Sequence, residues 1–198
     1  IAYNRSDSKR FEIEKKFNIP TFSSLNKLYK TFDTDLSVIC TPANMHIKNA
    51  KLAIENNNHL FIEKPVSLIN QSIDDLEKSI SKAGLFSHIG CNMRFHYGPQ
   101  KIKDYLNRKV IGRPIFSKIW CGSFLKNWHP KEDYKKMYSA NKKEGGGVLL
   151  DLIHEVDLSY WLFKEPERIK AFVSNSQSLG IRTEDVADII FLYKKAAG

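Results

Sequence analysis

Short apolar runs alternate with amphipathic segments over the first half of the chain. Three runs have the length of strands and are rich in apolar residues, and they are residues 36–40, 59–62 and 85–91. The segments around them have apolar residues at helical spacing and are predicted to be helices. Three of these helices are residues 9–17, 43–55 and 72–83. A fourth, short helix is capped by Ser23 or Ser24 and runs through Tyr29. This alternation predicts βαβ units and a parallel sheet, in which the run 36–40 is buried on both faces.

The pattern changes at Asn92, where we place a domain boundary. Helices are predicted over residues 97–109 and 148–163, and strands over residues 115–124, 168–174 and 185–193. Strands that follow one another without helices between them indicate an antiparallel sheet. The expected fold class is α/β, with a parallel-sheet domain over residues 1–91 and an α+β domain with a mostly antiparallel, open sheet over residues 92–198.

The net charge allows several kinds of partner. The 198 residues include 31 Lys and Arg against 22 Asp and Glu, for a formal net charge of +9. A basic surface can bind nucleic acid, serve anionic small molecules such as a dinucleotide, or be a solvated face. The lysines are scattered and no recognised nucleic-acid motif accompanies them, so we expect no nucleic-acid partner. No stretch approaches the roughly 20 apolar residues of a membrane span, so we expect no membrane partner.

Cys40, Cys91 and Cys121 are far apart in the sequence and outside any metal-binding spacing. Two of them lie in apolar, strand-like runs. We therefore expect buried thiols in a reducing compartment, and hence a cytoplasmic protein.

The run that ends at Ile62 is followed at once by Glu63, Lys64 and Pro65. Proline cannot continue a central strand, and it favours an extended conformation at Lys64. In open α/β sheets, ligands bind outside the carboxyl ends of the strands. The lysine ammonium is thus expected where a ligand binds; the alternative is a solvated charge pair before a turn.

A second feature is Gly145-Gly146-Gly147, which opens the predicted helix that carries Asp151 and His154. Three glycines let the backbone approach a ligand or another chain segment closely. Asp151 lies near the N-terminus of the helix, where we expect it to stay ionised. His154 is three residues further on, so the two share a helix face, and an aspartate beside a histidine can hold its tautomer. The alternative is an amphipathic helix with a buried, satisfied histidine.

Four motifs occur along the chain in order, and they are Thr41-Pro42-Ala43-Asn44-Met45-His46, Glu63-Lys64-Pro65, Gly90-Cys91-Asn92-Met93-Arg94-Phe95, and the triple glycine with Asp151 and His154. Together they resemble the glucose–fructose oxidoreductase / inositol dehydrogenase family (Gfo/Idh/MocA), and the resemblance covers nearly the whole chain. It implies a Rossmann domain that binds a nicotinamide cofactor, followed by an α/β domain with an open sheet. It also implies hydride transfer to or from a sugar or cyclitol carbon, and a homo-oligomer, either a dimer or a tetramer.

The resemblance assigns roles to single residues. Lys64 would lie beside the nicotinamide and hold the reacting hydroxyl, His154 would be the general acid/base, and Asp151 would orient His154 or the substrate. Arg94 is a candidate substrate contact. The residues implied on the cofactor side, besides Lys64, are Thr41, Pro42, His46, Glu63 and Asn92.

The spacing of Asp151 and His154 departs from the family pattern. Many members separate the carboxylate and the histidine by four residues, whereas here the separation is three, which leaves open which of the two is nearer the chemistry. The run 150–157 resembles the subset of the family that acts on amino sugars or sugar nucleotides. In the preceding loop Trp128, His129 and Tyr134 are similar to that subset too, and we expect them to contact the substrate.

Asn4 and Arg5 stand where dinucleotide folds that prefer NAD usually have an acidic residue after the second strand. An acidic residue binds the ribose 2′-hydroxyl and repels a phosphate, whereas an arginine accommodates the phosphate. The expected cofactor is therefore NADP or NAD, with NADP preferred. The alternative is that Arg5 is an ordinary loop residue.

The Gly-x-Gly-x-x-Gly turn of the first βα unit is absent from the sequence, which looks incomplete at both ends. Without that turn, the pyrophosphate of a dinucleotide lacks a helix N-terminus to bind. We therefore expect the 198-residue polypeptide to bind dinucleotide poorly or not at all. Isothermal titration calorimetry with NADPH and with NADH measures this, and micromolar binding of either would contradict the expectation.

Other classes of function stay open at this point. A non-catalytic domain could keep the same scaffold to bind sugar nucleotides or a partner chain, and a basic chain could bind nucleic acid in a salt-dependent way. A metal site at His129, Asp151 and His154 is conceivable, because imidazole and carboxylate groups ligate zinc. The spacing is not diagnostic, and we expect no metal.

Overall fold

The computed structural model describes residues 1–194, and two parallel sheets form its first half. The smaller sheet pairs β1 (Ala2–Tyr3) with β2 (Thr21–Phe22), a strand that the hydrophobic pattern does not predict. The larger sheet has the order β3 (Leu36–Ile39), β4 (His59–Ile62) and β5 (Ser87–Ile89). The predicted parallel sheet is confirmed; residues 195–198 lie outside the described part of the chain.

Four helices connect these strands, and they are α1 (Asp7–Phe17), α2 (Leu25–Thr31), α3 (His46–Glu55) and α4 (Gln71–Ala83). The hydroxyl of Ser6 caps α1 and that of Ser24 caps α2, since each accepts a hydrogen bond from a main-chain N–H of the first turn. Gly84 ends α4 in the left-handed conformation, with a φ of 65°. A 3₁₀ turn, Ala43–Met45, precedes α3, so the helix predicted over residues 43–55 is divided in two.

The core lies between one face of the larger sheet and the helices α3 and α4. Its buried residues are Ile39, Leu60 and Ile62 from the sheet, Ala50 and Ala53 from α3, and Leu76 from α4. At alternate positions of β3, however, Leu36 is 54% and Val38 is 61% exposed. The prediction that this run is buried on both faces is wrong, because α3 and α4 both cover the face that carries Ile39.

Up to residue 194, the second half contains three α-helices and an antiparallel pair of strands. The helices are α5 (Tyr97–Asn107), α6 (Val148–Asp151) and α7 (Ile153–Phe163). β6 (Arg168–Ser174) pairs with β7 (Val186–Leu192) along its whole length. The α/β fold class is confirmed, with parallel strands first and antiparallel strands after them.

Residues 115–124 form no strand, although their apolar residues alternate. Ile115, Phe116 and Trp120 are 101%, 84% and 75% exposed. A strand needs a neighbour for its main-chain N–H and C=O groups, and in the described part of the chain β6 and β7 pair only with each other. The predicted strand is therefore wrong, because alternation alone supplies no pairing partner.

The helix predicted over residues 148–163 is interrupted at Leu152, where φ is −102° and ψ is 33°. Asp151 therefore ends α6, and His154 lies in the first turn of α7. The expectation that they share the face of one helix is wrong, and their side chains start from two different helices.

The thiols are less buried than the sequence suggests. Cys40 and Cys121 are exposed and Cys91 is partly buried. Cys40 escapes burial because β3 ends one residue earlier, at Ile39. Burial and the carboxylate of Asp157 raise the pKa of Cys91 to about 11. Over residues 1–194, no helix has the length and apolarity needed to cross a membrane.

Candidate active site

The candidate site forms where the end of β4 meets the end of α6. Lys64 follows β4 closely, and its Nζ donates a hydrogen bond of 2.6 Å to the main-chain oxygen of Asp151, 87 positions further along the chain. The turn that carries Lys64 is anchored to the sheet, because the N–H of Glu63 continues the ladder to the carbonyl oxygen of Ile39 at 2.9 Å. The structure thus joins the two motifs that the sequence singles out.

The side chain of Asp151 is buried, with a relative exposure of 8%. Burial raises the pKa of its carboxyl group, and the negative charge of Glu184 adds to the rise. The hydroxyl-bearing side chains of Ser139 and Tyr138 and the positive charge of Lys64 lower this pKa in turn. The charge of Asp151 therefore depends on these neighbours more than on its position in a short helix.

His154 is partly buried, and its Nδ1 is enclosed without a hydrogen-bond partner in the described part of the chain. Burial and the charge of Lys64 lower the pKa of the imidazole, while Glu155 and Asp157 oppose the change. The neutral ring is therefore favoured, and it can accept a proton. Since Nδ1 has no partner, Asp151 does not fix the tautomer of His154 through that nitrogen.

The triple glycine lets this segment lie against other parts of the chain. A Cβ atom at Gly146 would lie 2.2 Å from the main-chain oxygen of Tyr138 and 2.5 Å from that of Ser139. At Gly145, where φ is +94°, it would lie 2.9 Å from the Cβ of Ala43. Of the two alternatives that the sequence leaves open, close approach to a chain segment is the one that these glycines serve in the structure.

Thr41, Pro42 and His46 form the turn between β3 and α3. His46 is 1% exposed, and its two ring nitrogens lie 2.7 Å from the main-chain oxygen of Thr41 and 2.8 Å from that of Pro65. It therefore fixes the turn after β3 to the turn that carries Lys64. Because His46 is buried, it acts on the site by holding these two turns in place.

An open groove of about 810 Å³ adjoins the same turn. Its walls come from the smaller sheet, α2 and α3, and include Tyr3, Ser24, Asn44, Lys48 and Asn49. The groove runs along α3 as far as Glu55, so only its end near Asn44 lies at the carboxyl edge of the strands, where α/β sheets bind nucleotides. Its size and its mixture of apolar and hydrogen-bonding groups suit a small ligand.

Asn4 and Arg5 follow β1 in an ordered loop. The Oδ1 of Asn4 accepts a hydrogen bond of 2.9 Å from the N–H of Ser6. Arg10 donates to the main-chain oxygens of Asn4 and Arg5, at 3.0 and 3.3 Å. Arg5 itself is exposed, so the loop presents its guanidinium group at the surface.

Arg94 and Asp157 form a bidentate ion pair, with N–O distances of 2.8 and 2.5 Å. Asn92 opens the 3₁₀ turn that carries Arg94 after β5, and Asn92 is exposed. The pair ties this turn to α7. Arg94, which the resemblance offers as a substrate contact, is thus held by a carboxylate of its own chain.

Trp128, His129 and Tyr134 lie in the loop 125–144, which contains several 3₁₀ turns. The indole N–H of Trp128 donates to the Oγ of Ser123 at 2.8 Å, and the hydroxyl of Tyr134 donates to the main-chain oxygen of Leu179 at 2.9 Å. His129 is exposed. These hydrogen bonds connect the loop to other loops, and none of them joins it to Lys64. Residues 1–194 contain no group of three or more His, Cys, Asp or Glu side chains that could hold a metal ion.

Three neighbours of Asp151 received no role from the sequence motifs, and they are Tyr138, Ser139 and Glu184. Tyr138 and Ser139 lie in the polar loop before the triple glycine, and the resemblance of that loop to the amino-sugar or sugar-nucleotide subset is the signal that includes them. Glu184 comes from the loop between β6 and β7, and nothing in its local sequence connects it with Asp151.

Comparison with known proteins assigns both halves of the chain. Residues 1–90 match the oxidoreductase family with an NAD-binding Rossmann fold, and residues 100–198 match the GFO/IDH/MocA C-terminal domain. Among solved structures, an oxidoreductase from Thermotoga maritima superimposes with a TM-score of 0.84 at 23% identity, over 97% of this chain and 59% of that one. This likeness establishes the shared fold.

Two curated relatives are similar in sequence over most of the chain. The 2,7-anhydro-N-acetylneuraminate hydratase of Escherichia coli is 29% identical over 91% of this chain and 47% of its own length. The myo-inositol 2-dehydrogenase of Thermotoga maritima is 25% identical over 81% of this chain and 44% of its own length. The chain therefore spans about half the length of these relatives. With both halves matched in this order, the chain belongs to the Gfo/Idh/MocA family of oxidoreductases.

Proposed function

We propose that the protein is an NAD(P)-dependent oxidoreductase that transfers a hydride between a nicotinamide cofactor and a hydroxyl carbon of a sugar, amino sugar or sugar nucleotide. The observation that carries the proposal is the 2.6 Å hydrogen bond between Nζ of Lys64 and the main-chain oxygen of Asp151. It sets an ammonium group beside a buried carboxylate, within electrostatic range of the imidazole of His154. These groups lie at the edge of the sheet where such folds bind ligands.

Lys64 holds the reacting hydroxyl in this proposal. An ammonium group has three N–H donors, and the bond to Asp151 uses one of them. The others can donate to a substrate oxygen and stabilise the negative charge that develops there as the proton leaves. Because its turn is fixed to the ladder of the sheet, Lys64 can do this with little reorganisation.

His154 moves the proton. During oxidation, the hydroxyl proton passes to the neutral imidazole, the hydride leaves the carbon for the coenzyme, and a carbonyl group forms; reduction reverses each transfer. Nδ1 is enclosed, so the proton acceptor in this proposal is Nε2. Asp151 orients the substrate in this proposal, since its carboxylate is within range of the charge of Lys64 and does not fix the tautomer of His154 through Nδ1.

The coenzyme, when bound, supplies the acceptor or donor of the hydride. In our proposal it lies against Thr41 and Pro42 of the turn after β3, and the groove that Tyr3 and Asn44 help to line adjoins this turn. The exposed guanidinium of Arg5 supports a preference for NADP, since it would meet a 2′-phosphate. The comparison of NADPH with NADH in the calorimetric titration measures this preference.

The substrate class follows from the relatives and from the site. One relative acts on an anhydro derivative of an acetamido sugar acid, and another on a cyclitol. Both molecules present hydroxyl carbons, on which a lysine and a histidine can act together. The direct test is the absorbance of the reduced nicotinamide, followed with a panel of sugars, cyclitols and sugar nucleotides at coenzyme concentrations high enough to overcome weak binding.

A non-catalytic scaffold is the second candidate. The ion pair of Arg94 with Asp157 favours it, because the guanidinium group that was expected to contact substrate is already bonded to a carboxylate of the same chain. Retained binding of a sugar nucleotide without turnover of any compound in the panel would support the scaffold and contradict the enzymatic proposal.

The pH dependence of the reaction should report the low basicity of His154. Burial and Lys64 lower the pKa of this imidazole from its ordinary value of 6.5. If the neutral ring is the base, kcat/KM for oxidation stays high as the pH falls through 6.5 and declines only at lower pH, where the ring is protonated. A pH–rate profile measures this limb, and the variant His154→Gln should lose it. A limb centred above the ordinary value would contradict the assignment.

A further inference from the structure

His46 lies between two turns of the candidate site, and both of its ring nitrogens face hydrogen-bond acceptors. Its Nδ1 lies 2.8 Å from the main-chain oxygen of Pro65, and its Nε2 lies 2.7 Å from that of Thr41. A carbonyl oxygen can only accept a hydrogen bond, and a neutral imidazole has a single N–H donor. Both contacts can be hydrogen bonds only if both nitrogens carry a proton, so the geometry indicates an imidazolium ion.

Two features of this position oppose a positive charge. The side chain of His46 is buried, and burial disfavours the charged form of a histidine. His46 is also the first residue of α3, where the positive end of the helix dipole lies. A neutral ring, however, would set a nitrogen lone pair against a carbonyl oxygen in a buried place, which leaves two polar groups unsatisfied. The two separations are those of charge-assisted hydrogen bonds, and they favour the charged ring.

The titratable side chains around the ring lie at the surface or have other partners. At the near ends of the elements that pack against α3 and the 3₁₀ turn before it, they are Cys40, Lys48, Glu63, Lys64, Asp74, Asp75 and Glu144. Cys40, Lys48, Asp74 and Asp75 are exposed. The Oε2 of Glu63 accepts from the N–H of Lys64 at 3.2 Å, and the Nζ of Lys64 donates to Asp151. The two carbonyl oxygens are therefore the groups that stabilise the charge of the ring directly.

These hydrogen bonds hold the turn that presents Lys64. On one side of Lys64, the N–H of Glu63 donates to the carbonyl oxygen of Ile39 at 2.9 Å. On the other side, the carbonyl oxygen of Pro65 accepts from His46. Lys64 thus stands between two anchored residues, one tied to β3 and the other tied to α3.

We propose that His46 is a positioning residue for the reaction proposed above: its ring is a buried cation that donates to the carbonyl oxygens of Thr41 and Pro65, and it thereby fixes the turn from which Lys64 reaches the substrate. The role in catalysis rests on the proposed function, whereas the charge of the ring depends on neither coenzyme nor substrate. Loss of either proton removes one of the two hydrogen bonds, so only the charged ring holds both turns.

The charge is tested by the ¹⁵N NMR spectrum of the histidine rings at about pH 7.5, roughly one unit above the ordinary pKa of a histidine. A protonated ring nitrogen and a bare one differ widely in ¹⁵N chemical shift, and both nitrogens of His46 should be protonated. His59 and His96 are internal references, since the Nδ1 of each accepts from a main-chain N–H and is therefore bare. A bare nitrogen in His46 would overturn the proposal.

The resonances of His46 are identified by their loss in His46→Gln. If that variant does not fold, nuclear Overhauser effects between the ring N–H protons and Pro65 identify them in the wild-type protein. The measurement of the charge therefore does not depend on the variant.

A double-mutant cycle tests the positioning role. His46→Gln should lower kcat/KM by about tenfold, because a displaced turn misplaces Lys64. In the Lys64→Met background the same substitution should have much less effect, since the side chain that it positions is already lost. The matched control is His96→Gln, at an exposed histidine, and it should leave kcat/KM within about twofold.

An equal loss of kcat/KM from His46→Gln in both backgrounds would mean that His46 does not act through Lys64, and it would overturn the positioning role. Failure of this inference is distinct from failure of the enzymatic proposal. The nicotinamide assay decides the latter, and the ¹⁵N spectrum decides the charge of His46 without any turnover.

Discussion

Replacement of Lys64 by methionine should lower kcat/KM for hydride transfer by about 100- to 1,000-fold, the usual cost of removing one donor that stabilises developing negative charge. Methionine keeps most of the length and the apolar body of the side chain and removes its charge and its N–H donors. The oxygen of the reacting hydroxyl then loses its cation, and the main-chain oxygen of Asp151 loses its 2.6 Å hydrogen bond. The rate is measured from the absorbance of the reduced nicotinamide with the best substrate of the panel.

The matched control is Lys78→Met, at an exposed lysine on α4. It changes the net charge by the same amount and should leave kcat/KM within about twofold, because surface substitutions away from a site have small effects. Thermal unfolding of both variants separates a loss of chemistry from a loss of structure. Equal rates for the Lys64 variant and the wild-type protein would remove the lysine from the mechanism.

A second effect of this substitution concerns His154. The charge of Lys64 helps to lower the pKa of the imidazole, so its removal should move the acid limb of the pH–rate profile towards higher pH in whatever activity remains. A coupled change of rate and limb is expected only if the two side chains share one pocket. The sequence shows the two motifs, but their separation gives no sign that they meet.

The position of Lys64 was the part of the site most accessible to sequence reasoning. A run of apolar residues stopped by Glu63, Lys64 and Pro65 identifies the end of a strand, and parallel strands end at one edge of a sheet. The hydrogen bond to Asp151 could not be predicted from local sequence, because it joins residues 87 positions apart and depends on how the two halves of the chain pack. The resemblance to the family placed Lys64 and Asp151 in one site, which the local sequence pattern alone cannot do.

Residues 115–124 and β3 show two other limits of pattern reasoning. Alternating apolar residues indicate that one face of a strand would be apolar. A strand forms, however, only if a neighbouring strand pairs with its main-chain N–H and C=O groups. In residues 115–124, Ile115 and Trp120 lie exposed instead. In β3 the apolar run predicts burial on both faces, whereas Leu36 and Val38 lie on the face opposite α3 and α4 and stay exposed. Composition gives the tendency to be buried, and the neighbouring elements decide whether it is realised.

Tyr138, Ser139 and Glu184 show which neighbours of Asp151 motif reasoning leaves without a role. Asp151 was identified through its place after the triple glycine, yet burial and these three neighbours set the behaviour of its carboxyl group. Local spacing also suggested one helix from 148 to 163, and the break at Leu152 separates Asp151 from His154. The side chains that matter to a buried charge come from several turns, which no single window of sequence contains.

Replacement of Gly146 by alanine should lower the free energy of unfolding by about 3 kcal/mol, at the upper end of the range for an overpacked site. The new Cβ would lie 2.2 Å from the carbonyl oxygen of Tyr138 and 2.5 Å from that of Ser139. Both obstacles are main-chain atoms, which cannot turn aside as a flexible side chain can. Because Tyr138 and Ser139 of the same turn act on the charge of Asp151, the substitution should also weaken activity in the fraction that stays folded. Urea unfolding followed by circular dichroism gives the change in stability.

Gly98→Ala provides the matched control, since it makes the same chemical change at a glycine in α5 where the nearest heavy atom to the new Cβ is 3.8 Å away. Alanine favours a helix over glycine by up to about 1 kcal/mol, so this variant should be as stable as the wild-type protein or slightly more stable. The contrast between the two variants isolates close packing from the general effect of losing a glycine. A Gly146→Ala protein as stable as its Gly98→Ala counterpart would mean that the turn at Tyr138 can move away from the triple glycine, and that the close approach of the two segments does not fix the geometry beside Asp151.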